Sequence, residues 1–194
     1  PIIADGDTGF GGMTSVAKMI KMQIEAGASA VHIEDQKVGA KKCGHLGGKV
    51  LVPVREHCDR MAAARLQADI MKHPLVLIAR TDADSANFLE NDIDPRDHPF
   101  IAGCTNPNIG TCEQAADQAA WLEQAGLMRY ADAVAQAMKK AGKPQNVVDK
   151  WMKDAMKLNN DDAKKLATSL GFGDVFWDKY APRSREGFFR VIGG

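Results

Sequence analysis

The sequence predicts an α/β fold whose first half is a parallel sheet with crossing helices and whose second half is helical. Three observations predict it. Short apolar runs recur in the first half, and each ends on charged residues. Patterns with the 3.6-residue helical period separate those runs. Beyond about residue 113 only helical patterns remain, with no strand signal before Pro182. Short strands that are apolar throughout belong in a parallel sheet covered on both faces, so the first half reads β-α-β-α-β.

Each element has its own warrant. Pro1-Ile2-Ile3-Ala4 is the first run and ends at Asp5. Met13, Val16, Ala17, Ile20 and Ile24 then recur at helical spacing, and Gly27 closes that helix as its C-cap. Ala30-Val31-His32-Ile33 is the second strand, ending at Glu34-Asp35. Pro53 suits the first turn of a second helix. That helix carries Val54, Cys58, Met61, Ala62 and Leu66 on one stripe, with Cys58 as a small buried apolar residue. Leu75-Val76-Leu77-Ile78-Ala79 is the third strand, ending at Arg80-Thr81-Asp82. Residues 84–111 are loop-rich, with Pro95, Pro99 and Pro107. Helices are expected over 113–125, 129–141, 145–158 and 161–170, with Asn160 as the N-cap of the last. The segments are then 1–107, the sheet-bearing part; 108–182, an all-helical insertion; and 183–194, a return to the main body.

Composition narrows the function classes. The 194 residues carry 25 Lys+Arg against 25 Asp+Glu. A zero balance argues against nucleic-acid binding through a bulk basic field and against a polybasic membrane anchor. No apolar run approaches the roughly 18 residues of a membrane helix. Cys43, Cys58, Cys104 and Cys112 form no CxxC pair, so they read as free thiols in a reducing compartment. The chain starts at Pro1 on a strand-like run and stops abruptly at Gly193-Gly194, which reads as a piece of something longer.

Parallel α/β folds gather their active groups at the carboxyl ends of the strands. That rule selects Asp5, Asp7, His32, Glu34, Asp35, Arg80 and Asp82. Carboxylates from neighbouring strand ends suit a hard divalent cation such as Mg²⁺. The competing reading is that these acids cap helices or pair with lysines. The Gly6-Asp7-Thr8-Gly9-Phe10-Gly11-Gly12 loop matches neither phosphate-binding motif, so its glycines read as a tight turn or a close backbone approach. Lys41-Lys42-Cys43-Gly44-His45 follows the second strand, on the presumed active face. Two lysines and a histidine beside Cys43 favour its thiolate, which suits a proton carrier or a nucleophile. Gly44, Gly47 and Gly48 suit a loop that closes. A basic surface loop with an incidental thiol is the alternative, and no second pair is spaced to make a zinc site of Cys43 and His45.

Lys41-Lys42-Cys43-Gly44-His45 resembles the signature of the isocitrate lyase family. Ile3 to Gly12, His32 to Gln36, Gly47 to Pro53 and Ala79 to Ala83 resemble that family's other motifs, in the same order. The resemblance is dense to about residue 103 and returns over 183–194. It implies part of a TIM-type (β/α)8 barrel, about three βα units, with a helical insertion. It implies Mg²⁺, or Mn²⁺, held by Asp5 directly and by Asp7 and Glu34 through waters. It implies Cys43 as catalytic acid/base, Lys42, Gly44, His45 and Arg80 as the binders of substrate carboxylates, and His32 in support. Glu34 and His32 are the candidates for the base. The implied reaction is cleavage of isocitrate to succinate and glyoxylate, as in the glyoxylate cycle, by a homotetramer that is cytoplasmic, glyoxysomal or peroxisomal. The sibling activity on 2-methylisocitrate differs by one methyl, and Lys42 tilts the reading toward isocitrate. A catalytically incomplete piece is the reading from another class, since three strands cannot close an eight-stranded barrel.

Overall fold

The computed structural model describes residues 1–193. It falls into two compact units, one from Pro1 to Ala86 and one from Asn87 onward.

In the first unit, β1 (Ile3–Asp5), β2 (Ala30–Glu34) and β4 (Val76–Arg80) form a parallel sheet in the order β1-β2-β4. Helix α1 (Met13–Glu25) connects β1 to β2, and α2 (Val54–Ile70) precedes β4. The two-residue β3 (Val50–Leu51) runs back past β2, where Gln36 bridges Leu51 in antiparallel fashion. The expected βαβαβ order is therefore present. Val16, Met19 and Ile20 of α1 pack with Val31 and Ile33 of β2, with Ala64 and Ala68 of α2, and with Leu75. Burying a Val, Leu or Ile side chain is worth about 1.5–3 kcal/mol, so this cluster is what holds the helices to the sheet.

Two local expectations fail here. Only β2 is buried on both faces, because β1 and β4 are the sheet's edges; Ile3 and Val76 are 62% and 57% exposed. Helix α2 buries Arg60, Ala64 and Ala68 and leaves Cys58 and Leu66 exposed. The alanines let the helix lie close to its neighbours, and the Arg60 guanidinium is drawn inward by the carbonyls of Thr8 and Gln36, each 3.1 Å away. Gly27 does close α1: it takes φ +89°, and the Ala28 and Gly27 amides donate to the Gln23 and Ile24 carbonyls in a Schellman motif.

The second unit opens with β5 (Phe88–Leu89), β6 (Ala102–Gly103) and α3 (Gln118–Gln124). It continues through β7 (Met128–Arg129), α4 (Tyr130–Lys140), α5 (Gln145–Ala155), α6 (Asn160–Ser169) and β8 (Phe189–Arg190). The 108–182 stretch is thus not wholly helical, since β7 pairs antiparallel with β6. Residues 87–107 fall in the same compact unit as these helices. The returning tail pairs with β5 through Phe88↔Arg190 and Leu89↔Phe189. Helix α3 is shorter than its apolar pattern because Asp117 caps it, accepting from the Ala119 and Ala120 amides. The cap of α6 is Asn159, one residue before the expected Asn160. Tyr130 meets Trp151 and Trp177 edge-on at centroid distances of 6.3 and 5.4 Å, and each indole N–H finds a backbone carbonyl.

Candidate active site

The parallel register aligns the charged strand ends. Asp5 pairs with His32, and Glu34 pairs with Arg80. Side chains two residues apart on a strand share a face, so His32 and Glu34 stand on the same side of β2. His32 Nδ1 lies 3.7 Å from Asp5 Oδ1, and Arg80 Nε lies 3.4 Å from Glu34 Oε2. The turn after β1 brings in Asp7. Gly6 makes that turn possible: its amide donates to the His32 carbonyl at 2.9 Å, and a Cβ there would stand 2.6 Å from the same oxygen. Asp7 itself takes φ +52°, a left-handed conformation that Asp tolerates better than most residues, and its amide donates to Asp5 Oδ1. The Glu34 amide donates to the Asp7 carbonyl, which ties the two acids together through the backbone.

Lys41 occupies the centre of this group. Its Nζ is 2.9 Å from Asp7 Oδ2 and 3.1 Å from Glu34 Oε1. The contact to Asp7 is a hydrogen bond, whereas the one to Glu34 is an ion pair without hydrogen-bond alignment. The environment sets the acids apart. Burial pushes the Glu34 carboxyl above the usual range, against the pull of Lys41 and Arg80. Partial burial works the same way on Asp7, but the Lys41 hydrogen bond and charge and the Thr8 amide outweigh it and hold Asp7 low. Lys41 is in turn raised by Asp7 and then Glu34.

Glu34 is 1% exposed, and neither of its side-chain oxygens has a hydrogen bond. A buried carboxylate so placed is stabilised by a cation, and the oxygen donors of Asp5, Asp7 and Glu34 fit a hard divalent one. Among the described residues no three His, Cys, Asp or Glu side chains are gathered tightly enough to hold an ion; the ammonium of Lys41 sits between two of the acids instead.

The thiol segment has a different setting. Lys42, Cys43, Gly44 and His45 are exposed, and the Cys43 carbonyl accepts the Leu46 amide in a turn. No hydrogen bond or ion pair joins Cys43 Sγ or the His45 ring to the strand-end acids among the described residues. The structure therefore brings together Asp5 with His32, and Asp7 and Glu34 around Lys41 with Arg80 on Glu34, while Cys43, Gly44 and His45 stand apart on an arch whose first foot is Lys41-Lys42.

The isocitrate lyase family profile matches residues 1–194, the whole chain. The chain belongs to the isocitrate lyase family. An isocitrate lyase from Pinus taeda is 43% identical over all of this chain. A mitochondrial 2-methylisocitrate lyase from Hypocrea atroviridis is 38% identical, again over all of it. The chain spans 38% of the length of each of these two relatives. A solved oxaloacetate acetylhydrolase, bound to 3,3-difluorooxalacetate, is 44% identical over 44% of this chain and 28% of its own, with a TM-score of 0.43.

Three residues of this neighbourhood carried no signal in residue type or spacing. Lys41 reads as one of a pair of loop lysines, and only the fold shows that it, and not Lys42, reaches the acids. Gln36 and Lys49 look like an ordinary amide and an ordinary surface lysine, yet they are 0% and 1% exposed. The only available hint was their position, on either side of the signature.

Proposed function

We propose that this chain carries the metal- and thiol-bearing part of a lyase that cleaves isocitrate to succinate and glyoxylate. One observation carries the reading: Lys41, two residues before Cys43, is bound to both Asp7 and Glu34, so the thiol loop is rooted in the strand-end acid cluster. Asp5, Asp7 and Glu34 would hold the magnesium, or manganese, and the ion would supply Lewis-acid stabilisation of negative oxygen on the substrate. Glu34, whose carboxyl burial makes more basic, or His32 takes the hydroxyl proton. The C–C bond then breaks, its electron pair staying on the carbon beside the carboxylate that becomes succinate. Cys43 returns a proton to that carbon. Arg80, 41% exposed at its side chain, binds a substrate carboxylate with Lys42, Gly44 and His45.

In this reading β1, β2 and β4 are successive strands of a (β/α)8 barrel, the whole protein is a homotetramer, and it works in the cytoplasm or in a glyoxysome or peroxisome. Residues 1–107 with 183–194 go with the barrel and 108–182 form the insertion. No helix among the described residues is long and apolar enough to cross a membrane. The 2-methylisocitrate lyase relative favours a second reading, because one methyl in an apolar pocket is worth only about 1–3 kcal/mol. The test is Mg²⁺-dependent glyoxylate release from isocitrate and from 2-methylisocitrate, by this chain and by a full-length protein containing it. A higher kcat/KM on isocitrate is expected. Full activity of Cys43→Ser would end the assignment of the thiol. No release from either substrate by the full-length protein would end the lyase reading in favour of a non-catalytic assembly piece.

A further inference from the structure

The thiol arch has a buried foundation that the reaction as described does not use. Gln36 is completely buried, and its carboxamide bonds both backbone groups of one arch residue. The Lys42 amide donates to Gln36 Oε1 at 2.8 Å, and Gln36 Nε2 donates to the Lys42 carbonyl at 3.0 Å. The same Nε2 donates to Asp82 Oδ2 at 2.8 Å. Asp82 Oδ1 accepts from Lys49 Nζ at 2.7 Å, and Lys49 also donates to Ser85 Oγ at 2.9 Å. Lys42 and Lys49 flank segment 43–48, which is exposed as far as Gly47, so one amide–carboxylate–ammonium chain joins both feet beneath the surface. Asp82 also lies two residues past Arg80, and its amide is fixed by Asp35 Oδ1 at 3.0 Å.

Burying an ammonium and a carboxylate is expensive, and an ion pair of this kind is weak support for stability compared with an apolar core. A backbone amide and carbonyl satisfied by a single side-chain amide restrict where the next residue stands. Here the next residue is Cys43.

We propose that Gln36, Asp82 and Lys49 are positioning residues, which fix both feet of the 42–49 arch and thereby set the place of Cys43 and His45 relative to Arg80. The inference rests on the proposed role of Cys43 as the proton donor. Misplacing a reacting group by about 1 Å costs on the order of 100-fold in rate.

The test uses the full-length protein in a Cys58→Ser background, which leaves Cys43 as the exposed thiol of this chain. Gln36→Met keeps the side chain's length and removes its three hydrogen bonds. Lys49→Met removes the ammonium. For folded variants kcat on isocitrate should fall about 10- to 100-fold. The pH profile of Cys43 alkylation by iodoacetamide, located by peptide mapping, should shift. Folded variants that only melt earlier, with kcat and the alkylation profile unchanged, would overturn the proposal. If the parent protein releases no glyoxylate, the isocitrate reading falls, while the alkylation contrast still decides whether the network positions the thiol. If the variants do not fold, hydrogen exchange on the parent decides. The Lys42 amide should exchange at least ~100-fold more slowly than the Gly44 amide, as expected of a buried bond beside an exposed loop. Equal rates would overturn the proposal.

Discussion

Replacing Lys41 by Met removes one cation from between two carboxylates, and its cost should depend on pH in a defined direction. The ammonium lies 2.9 Å from Asp7 and 3.1 Å from Glu34. At an effective dielectric constant of about 20 each contact is worth ~5 kcal/mol before desolvation. Desolvation of Glu34, whose side chain is 1% exposed, and solvent screening of Lys41, which is 28% exposed, cancel most of that. A net loss of about 2 kcal/mol at neutral pH is reasonable, below the 3–5 kcal/mol of a fully buried pair. Asp7 is held below the usual carboxylate range, so its contribution to stability is present at neutral pH and is lost as pH falls through its lowered pKa. Glu34 is held above that range, so its contribution is present in acid and is lost as pH rises through its raised pKa. Removing Lys41 lets both pKa values rise. The parent's advantage over the variant should therefore be small in acid and grow as pH rises. Urea denaturation of parent and variant at pH 4, 5.5, 7 and 8 measures it. An equal loss at pH 4 and pH 8, or none at any pH, would refute the reasoning.

Three further outcomes are expected. Gly6→Ala places a Cβ 2.6 Å from the His32 carbonyl, a backbone atom that cannot swing aside, so the end of β1 must shift; Mg²⁺ affinity measured calorimetrically on the full-length protein should fall with it. Asn159→Ala removes the side chain that caps α6 and should cost about 1 kcal/mol in denaturant unfolding, with Asn159→Asp close to neutral. Trp151→Ala deletes a residue that is 1% exposed and whose indole donates to the Ala131 carbonyl, and should cost about 3–5 kcal/mol by the same measurement.

What the sequence revealed depended on how far each feature is local. The β2 run was legible because a strand buried on both faces is apolar throughout, and the Schellman end of α1 was legible because Gly27 alone marks it. The strand-end rule found Asp5, His32, Glu34 and Arg80 from spacing, and the register aligns them in two pairs. Helix α2 was misread because Val54, Leu66 and Ile70 lie on the exposed side, while its fully buried residues are two alanines and an arginine satisfied by distant carbonyls. No periodic pattern encodes a guanidinium held from 52 residues away in the chain. Lys41 and Lys49 were missed for the same reason: each is buried or half-buried only because an acid brought in by another strand end meets it. The extra strand β7 is two residues long, too short for any alternation to register.

The sheet's edges have a practical consequence for making this polypeptide. In the described chain β1 and β4 each have a single neighbour in their sheet, and apolar side chains at Ile2, Ile3, Val76 and Ile78 meet solvent along them. Unpaired edge strands with apolar flanks are templates for adding another chain's strand. Expressed by itself, this polypeptide should associate with itself as its concentration rises. Lysine or glutamate at the outward positions Ile3 and Val76 should keep it dispersed, and the same charges in a full-length protein should be harmful wherever neighbouring strands pack against those edges.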